Sequence, residues 1–337
     1  MKRYGRISQV AQIEIVDTVT KYVLFGFTRK VVCSKIGISV SFYHTIKRRV
    51  KTSTFNSEKE SRKGYNVHAI LPEEEQAVVE YAKANPNYFH RELTWRMVDD
   101  KITFMGVTTV YRILHKNGLI CANKLRKKYG WHHLYSNEAH KPDERWQTDI
   151  TYLRYGDRDV YQLSFIDVYS RFVVISVTLL NMESRTVRDV IEAYLGEHKD
   201  ELKQMPIIQS DNGSPYIGHE FKNVMRDFEV EHVYCNPATP TENVIIERWH
   251  RTFKESLYVH DEPDGFEEFK RLIQATVHYY NYERYHQSLG YIPPIEFYRG
   301  DPENIFKERN KYCKYVRNER RLRNSERIRT LSIEPAL

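Results

Sequence analysis

Apolar and polar positions alternate in three different ways along the chain. Up to about residue 120, apolar residues recur at helical spacing in short blocks separated by polar or Gly/Pro-containing breaks. From Trp146 the pattern turns into runs rich in β-branched and aromatic residues, which predict strands over 146–153, 160–168 and 171–179. Gly156-Asp157 and Tyr169-Ser170 are their turns, and such short links make an antiparallel meander. Beyond it, helix and strand patterns alternate: a helix over 185–199, the apolar run Pro206-Ile207-Ile208, a helix over 219–227, and a short strand over 232–234. A last helix of this series begins near Thr241, a predicted N-cap following Pro240. On it Ile245, Trp249, Phe253 and Leu257 recur every fourth residue as the predicted apolar face, while Glu247, Arg251 and Lys254 lie on the opposite side. A further helical pattern starts at Phe269 and leads into HQSLGYIPPIEFY.

Domain organisation follows from the same pattern. Residues 1–50 end in two helix-like segments separated by Gly37 and a turn and cap at Ile38-Ser39, the second closing on Lys47-Arg48-Arg49. This resembles a helix-turn-helix, whose second helix enters the major groove of DNA; a plain helical hairpin with a solvated basic end is the ordinary alternative. Residues 51–66 are polar, aperiodic and linker-like. Residues 67–125 hold a helix with Pro72 and acids in its first turn, then two helical stretches broken at Phe104-Met105-Gly106. Residues 141–300 carry the strand-rich pattern, and 301–337 form a basic tail.

Composition sharpens this picture in a few respects. The chain has 337 residues with 41% hydrophobic and 29% charged content, a net charge of +7 and a pI near 9.0. That balance suits a soluble protein with a polyanionic partner. Residues 1–70 hold 14 Lys/Arg against four Asp/Glu, and 307–329 hold ten against three, so positive charge is concentrated at both ends. Along the tail, nucleic-acid phosphate and plain solvent are both suitable neighbours. The four cysteines form no C-x-x-C pair, which argues against a disulfide framework and a zinc ribbon. His132-His133 lie in a basic connector with no cysteine pair at ligand spacing. No signal peptide and no apolar run of membrane-spanning length is visible, which predicts a cytoplasmic protein.

Three acids carry the candidate chemistry. Asp149 stands mid-strand, where Asp is depleted; Asp211 ends an apolar run just before Asn212-Gly213; Glu247 lies on the charged side of a helix. Singly, Asp211 suits a turn and Glu247 an i,i+4 pair with Arg251 on a solvated face. Gathered at one place they repel unless a cation neutralises them, and all-oxygen ligands suit Mg²⁺ or Mn²⁺.

At these residues the sequence resembles the DDE transposases and retroviral integrases, closest to insertion-sequence transposases with an integrase core. WQTDITY, QSDNGSPY, TENVIIERWHRTFKESL and YNYERYHQSLGYIPPIEFY carry the resemblance over roughly residues 145–298, with thirty-five residues between Asp211 and Glu247. The order βββαβαβα then implies an α/β, RNase H-like catalytic core with a mixed five-stranded sheet, preceded by all-α helix-turn-helix regions. Its adjacent first and fourth strands bring Asp149 and Asp211 together. The resemblance further implies two Mg²⁺ or Mn²⁺ ions, with Asp149 bridging them and Asp211 and Glu247 each completing one coordination sphere. It implies phosphoryl transfer on double-stranded DNA, at the element's terminal repeats and at a target, by a homo-oligomer assembled on the DNA. Lys254, Arg251 and Asn243 near the acids, and Lys47, Arg48 and Arg49 at the N-terminus, become candidate DNA contacts. Asp167, in a D-x-x-S-R element with Ser170 and Arg171, is expected to be structural or to support the acids. Two rivals share these features: a structure-specific nuclease on the same fold, and a DNA-binding regulator with an inert core. Glu242 and Val244 depart from the residues usual before the family's glutamate, and Val244 stiffens that loop.

Overall fold

The computed structural model describes residues 9–51, 66–120, 139–156, 158–236, 242–258 and 263–333. It divides into two units, Met1–Ala69 with Arg321–Leu337, and Ile70–Arg320. Asp157, Thr241, Pro240, His132 and His133, and almost all of the linker-like stretch, lie outside the described residues.

In the first unit α1 (Gln9–Leu24), α2 (Arg29–Ile36) and α3 (Val40–Lys51) bury Val16, Val19, Val32, Cys33, Ile38, Tyr43 and Ile46 together. Gly37 ends α2 at φ +79, a left-handed conformation that costs glycine nothing. The Ser39 hydroxyl accepts the Phe42 amide at 3.1 Å and so starts α3. Two helices joined at Gly37 and Ser39 therefore stand where the sequence predicts two helical segments.

The second unit begins with α4 (Pro72–Ala84), α5 (His90–Asp99) and α6 (Val107–Lys116), packed around Val78, Leu93, Met97, Val110 and Leu114. The sheet follows. Strands β1 (Arg145–Tyr155), β2 (Arg158–Asp167) and β3 (Val173–Leu179) form an antiparallel meander. Helix α7 (Ser184–His198) crosses over to β4 (Ile207–Ser210), which lies parallel to β1. Helices α8 (Ser214–Ile217) and α9 (His219–Asp227) lead to β5 (His232–Tyr234), parallel to β4. The order β3-β2-β1-β4-β5, with helices on both faces, is the RNase H-like arrangement. The alternation along β2 shows why both faces are covered: Leu163 and Phe165 pack with Val187, Ile191 and Phe221 on one face, while Val160 and Ile166 face the other. That second face is closed by α10 (Val244–Leu257) and α11 (Phe266–His278).

After α11 the chain makes a π-helical turn at Tyr279–Glu283, then α12 (Pro294–Tyr298) and one long helix, α13 (Pro302–Ile333). The basic stretch that the sequence leaves open between DNA and solvent is helical over these residues. Two of its arginines are spent internally. Arg309 makes a two-pronged ion pair with Asp99 of α5 at 2.7 Å on each prong, and Arg320 pairs with Glu74 of α4 at 2.7 and 2.8 Å. The segment after His286 packs over the core: Tyr298 stacks on Phe172 at 4.5 Å, and its hydroxyl donates to Asp143.

Candidate metal centre and its supports

The sheet register explains how two of the acids meet. β1 and β4 run side by side with Gln147 opposite Gln209. Asp149 lies two residues beyond the first glutamine and Asp211 two residues beyond the second, so Asp211, just past the end of β4, stands at the level of Asp149 in the middle of β1. Asp211 sits just past the end of β4, and its Oδ1 accepts the Gly213 amide at 2.9 Å. The Asn-Gly turn thus exists, and it orients the carboxylate rather than replacing its role.

The third acid arrives on α10. Buried glutamines hold this helix against the strands. Gln147 Nε2 and Gln209 Nε2 both donate to the Glu242 carbonyl, at 2.7 and 2.9 Å, and Gln147 Oε1 accepts the amides of Ile245 and Ile246 at 3.2 Å. A helix N-terminus exposes amides without internal partners, and Asn243, at the capping position, gives them no side-chain bond. Gln147 supplies that cap from the neighbouring strand. The strands that carry Asp149 and Asp211 therefore also fix the start of the helix that carries Glu247. The Q-x-D spacing before each aspartate was the signal for this support in the sequence, and reading it as strand filler misses it.

Electrostatics links the three acids. Partial burial and the Asp149 charge raise the Asp211 carboxyl above its usual range, against the Gly213 hydrogen bond. Glu247 is likewise raised, by burial and then by Asp149, while Arg251 and His250 pull it down. The negative charge of Asp149 thus reaches both partners. Among the described residues, no three His, Cys, Asp or Glu side chains close around one point that would hold an ion. Carboxyls raised by burial and by a neighbouring acid are a donor set suited to a hard divalent cation.

The remaining candidates fall in several places. Arg251 is exposed one turn after Glu247, and Lys254 is half-buried on the same helix. Asn243 is buried, and its Oδ1 has no hydrogen-bond partner among the described residues. Lys47 and Arg48 are exposed and Arg49 half-buried in the last turn of α3, in the other unit. Asp167 is wholly buried, and accepts both the Ser170 amide and hydroxyl and the Asp143 amide, so it pins the β2–β3 corner.

The apolar stripe of α10 differs from the expected one. Ile246, Trp249, His250, Phe253 and Leu257 are buried, whereas Ile245 is only half-buried. His250 is the residue that the sequence reading passed over: its Nδ1 lies 3.4 Å from Asp149 Oδ2.

Residues 139–240 match the family described as "Integrase core domain", and 228–294 match a second family of the same description. InsK, a transposase for insertion sequence element IS150 of Escherichia coli K12, is 24% identical over 162 residues, covering 48% of this chain and 56% of that protein. The transposase for insertion sequence element IS904 of Lactococcus lactis is 26% identical over 164 residues, 48% of this chain and 63% of its own. The chain thus matches less than two thirds of the length of either relative. Among solved structures, the human T-cell leukaemia virus type 2 (HTLV-2) integrase catalytic core with magnesium is 18% identical and covers 48% of this chain and 100% of that one, at a TM-score of 0.39. The strand order, not that overlay, carries the fold assignment. With its motifs on that strand order, the first family match covering all five strands and the second continuing over α10 and α11, residues 139–294 form an integrase core of the DDE superfamily to which insertion-sequence transposases belong.

Proposed function

We propose that the protein is a DNA transposase: it binds the ends of its own mobile element as double-stranded DNA, cleaves a strand there, and joins it to target DNA. The observation that supports this reading is the placement of Asp149 and Asp211 at one level of adjacent strands of an RNase H-like sheet, beside the helix that carries Glu247, where burial and then the Asp149 charge raise the carboxyls of Asp211 and Glu247.

Asp149 takes the central role because its charge acts on both other acids. Asp149, Asp211 and Glu247 would hold two Mg²⁺ or Mn²⁺ ions, whose chemistry there would be to activate an oxygen nucleophile and to neutralise the leaving oxygen. Gln147 and Gln209 keep Glu247 in step with the strand acids, and Arg251 offers a positive charge one helical turn away. Lys254, two turns along α10, holds a phosphate as a point charge, and Asn243 lies at the DNA side of the helix start. Lys47, Arg48 and Arg49 on α3 contact the terminal repeats, so α1–α3 give end preference and the core gives chemistry. We take the acting form to be a homo-oligomer on DNA at the nucleoid of the cytoplasm. Among the described residues no helix is long and apolar enough to cross a membrane.

The test uses a labelled duplex carrying the element's end, with Mg²⁺ or with excess chelator. The reading expects a nicked strand and a joined product in Mg²⁺, neither in chelator, and neither from Asp211→Asn. Nicking without joining identifies a nuclease, and end binding with no cleavage identifies an inert regulator. Deleting residues 1–66 is expected to remove the preference for end DNA and leave salt-sensitive nonspecific binding.

A further inference from the structure

We propose that the corner between α1 and α2 is a binding site for single-stranded DNA, where the rings of Tyr22, Phe25 and Phe27 stack on unpaired bases and neighbouring cations hold the phosphates. The site lies in the first unit and needs no metal. It adds to the proposed end binding a second form of DNA, the unpaired strand that a nicked duplex end releases.

The corner leaves apolar surface outside a finished core. Tyr22, Leu24, Phe25, Phe27 and Val31 are each between 45% and 82% exposed, whereas Val16, Val19, Val32, Tyr43 and Ile46 close the core of the unit without them. A cluster of exposed apolar side chains marks a contact surface. Gly26 turns the chain at φ +93, and nothing stands within 4 Å of the place a Cβ would take. The amides of Phe25, Gly26 and Phe27 donate to the carbonyls of Lys21, Val23 and Tyr22 at 3.1–3.2 Å, which fixes the corner. Tyr22 meets Phe25 and Phe27 at centroid distances of 6.4 and 6.2 Å, with interplanar angles of 62° and 72°. The rings are splayed, with neither phenylalanine lying flat on the tyrosine, and a held corner needs little further ordering when a flat ligand arrives.

Charge selects the occupant. From Thr18 to Lys51 the sequence holds eight Lys and Arg and no Asp or Glu. Lys21, Arg29 and Lys30 flank the rings along the chain, and all three are exposed. A second copy docked corner to corner would set these cations against their own equivalents. A polyanion meets them favourably, and nucleic acid is a polyanion that also carries aromatic faces. In a duplex those faces are covered by the neighbouring base pairs, so stacking on these rings requires unpaired bases. Aromatic rings beside a basic track are the parts from which sequence-tolerant single-strand sites are built.

The experiment follows a fluorescent oligothymidylate and a blunt duplex of unrelated sequence as each binds the full chain, in chelator and over a salt series. Phe25→Ala and Phe27→Ala are each expected to weaken single-strand binding about tenfold, with duplex affinity within about twofold of wild type. Stacking releases no counterions, so the salt slope of single-strand binding is unchanged in these variants and falls in the Lys21→Ala, Arg29→Ala double variant. Phe25→Trp keeps a ring and keeps the binding. All the side chains changed are exposed, so the variants retain the fold. Single-strand affinity unchanged in the Phe25→Ala, Phe27→Ala double variant overturns the proposal, and so does an equal loss on the duplex. A double variant that keeps single-strand binding but loses molar mass in the absence of DNA assigns the corner to a second copy instead.

Discussion

Two pairs of aspartates share one sheet and have opposite surroundings. Asp143 and Asp167 are 0% exposed and saturated with donors. Asp143 receives the Trp146 indole, the Tyr298 hydroxyl, the Lys203 amide and the Arg299 guanidinium. Asp167 receives two groups of Ser170 and the Asp143 amide. Asp149 and Asp211 each accept a single backbone amide. A buried carboxylate must be surrounded by donors or neutralised. The first pair meets that demand within the protein, whereas Asp149 is half-buried and Asp211 exposed, within reach of solvent or a cation. Counting donors separates the acids that hold the fold from those proposed for the metal site.

That contrast can be broken most strongly at Asp149. Asp149→Asn removes one charged ligand at constant size, and the several kcal/mol that a metal lends the transition state correspond to about a thousandfold or more in rate. Cleavage of end DNA is expected to fall by that factor while the melting temperature holds or rises, since a charge that disfavours Asp211 and Glu247 has gone. Cleavage near the wild-type rate would place Asp149 outside the site.

The converse substitution is Asp143→Ala, which leaves Arg299 and the Tyr298 hydroxyl without their buried partner. Urea unfolding is expected to show a loss of about 3 kcal/mol, with cleavage per folded molecule retained. Loss of activity with unchanged stability would reverse the assignment of the two pairs.

A pH series sharpens the comparison. Burial raises the Asp167 carboxyl to about 6, against an unfolded value near 3.9. A raised carboxyl binds its proton more tightly when folded, so its contribution is fully present below about pH 4 and is lost as pH rises toward about 6. The loss is at most about 3 kcal/mol. Guanidinium unfolding between these values is expected to show a falling contribution that Asp167→Asn removes. A variant with the same pH slope as wild type would mean that Asp167 does not titrate in this window.

The smallest effect is at Lys254. Lys254→Ala is expected to reduce the salt slope of end-DNA binding by about one phosphate contact and to change stability by no more than about 0.5 kcal/mol. Identical slopes would make it an ordinary surface lysine.

How much of this was legible in the sequence depends on how local each signal is. The β1–β2–β3 meander was legible because period-two runs and Gly156 are local features, whereas β4 beside β1 followed only from the family resemblance. Asp149 was legible because Asp in a strand needs a reason. The ends of α13 were less so. Arg309 reads as one more positive charge until Asp99, 210 residues earlier, is seen opposite it, and pairing at such separation leaves no local mark. Asp143 escaped notice for the same reason, since its partners are spread from Trp146 to Arg299. His250 was hidden by the choice of helical face: with Ile245 taken as the inner residue, the stripe is rotated by one position. Ile246 is the residue that is buried.

The most direct test of the metal-site account is thermal unfolding of the wild type and Asp211→Asn across a Mg²⁺ titration. A ligand that binds only the folded state at about 100 times its dissociation constant adds about 2.7 kcal/mol, so the wild-type melting temperature is predicted to climb with log Mg²⁺ concentration. Asp211→Asn, with one ligand charge removed, is predicted to start at or above the wild type and to stay flat. A parallel climb in both proteins, or none in the wild type, would contradict the claim that these acids form a metal site.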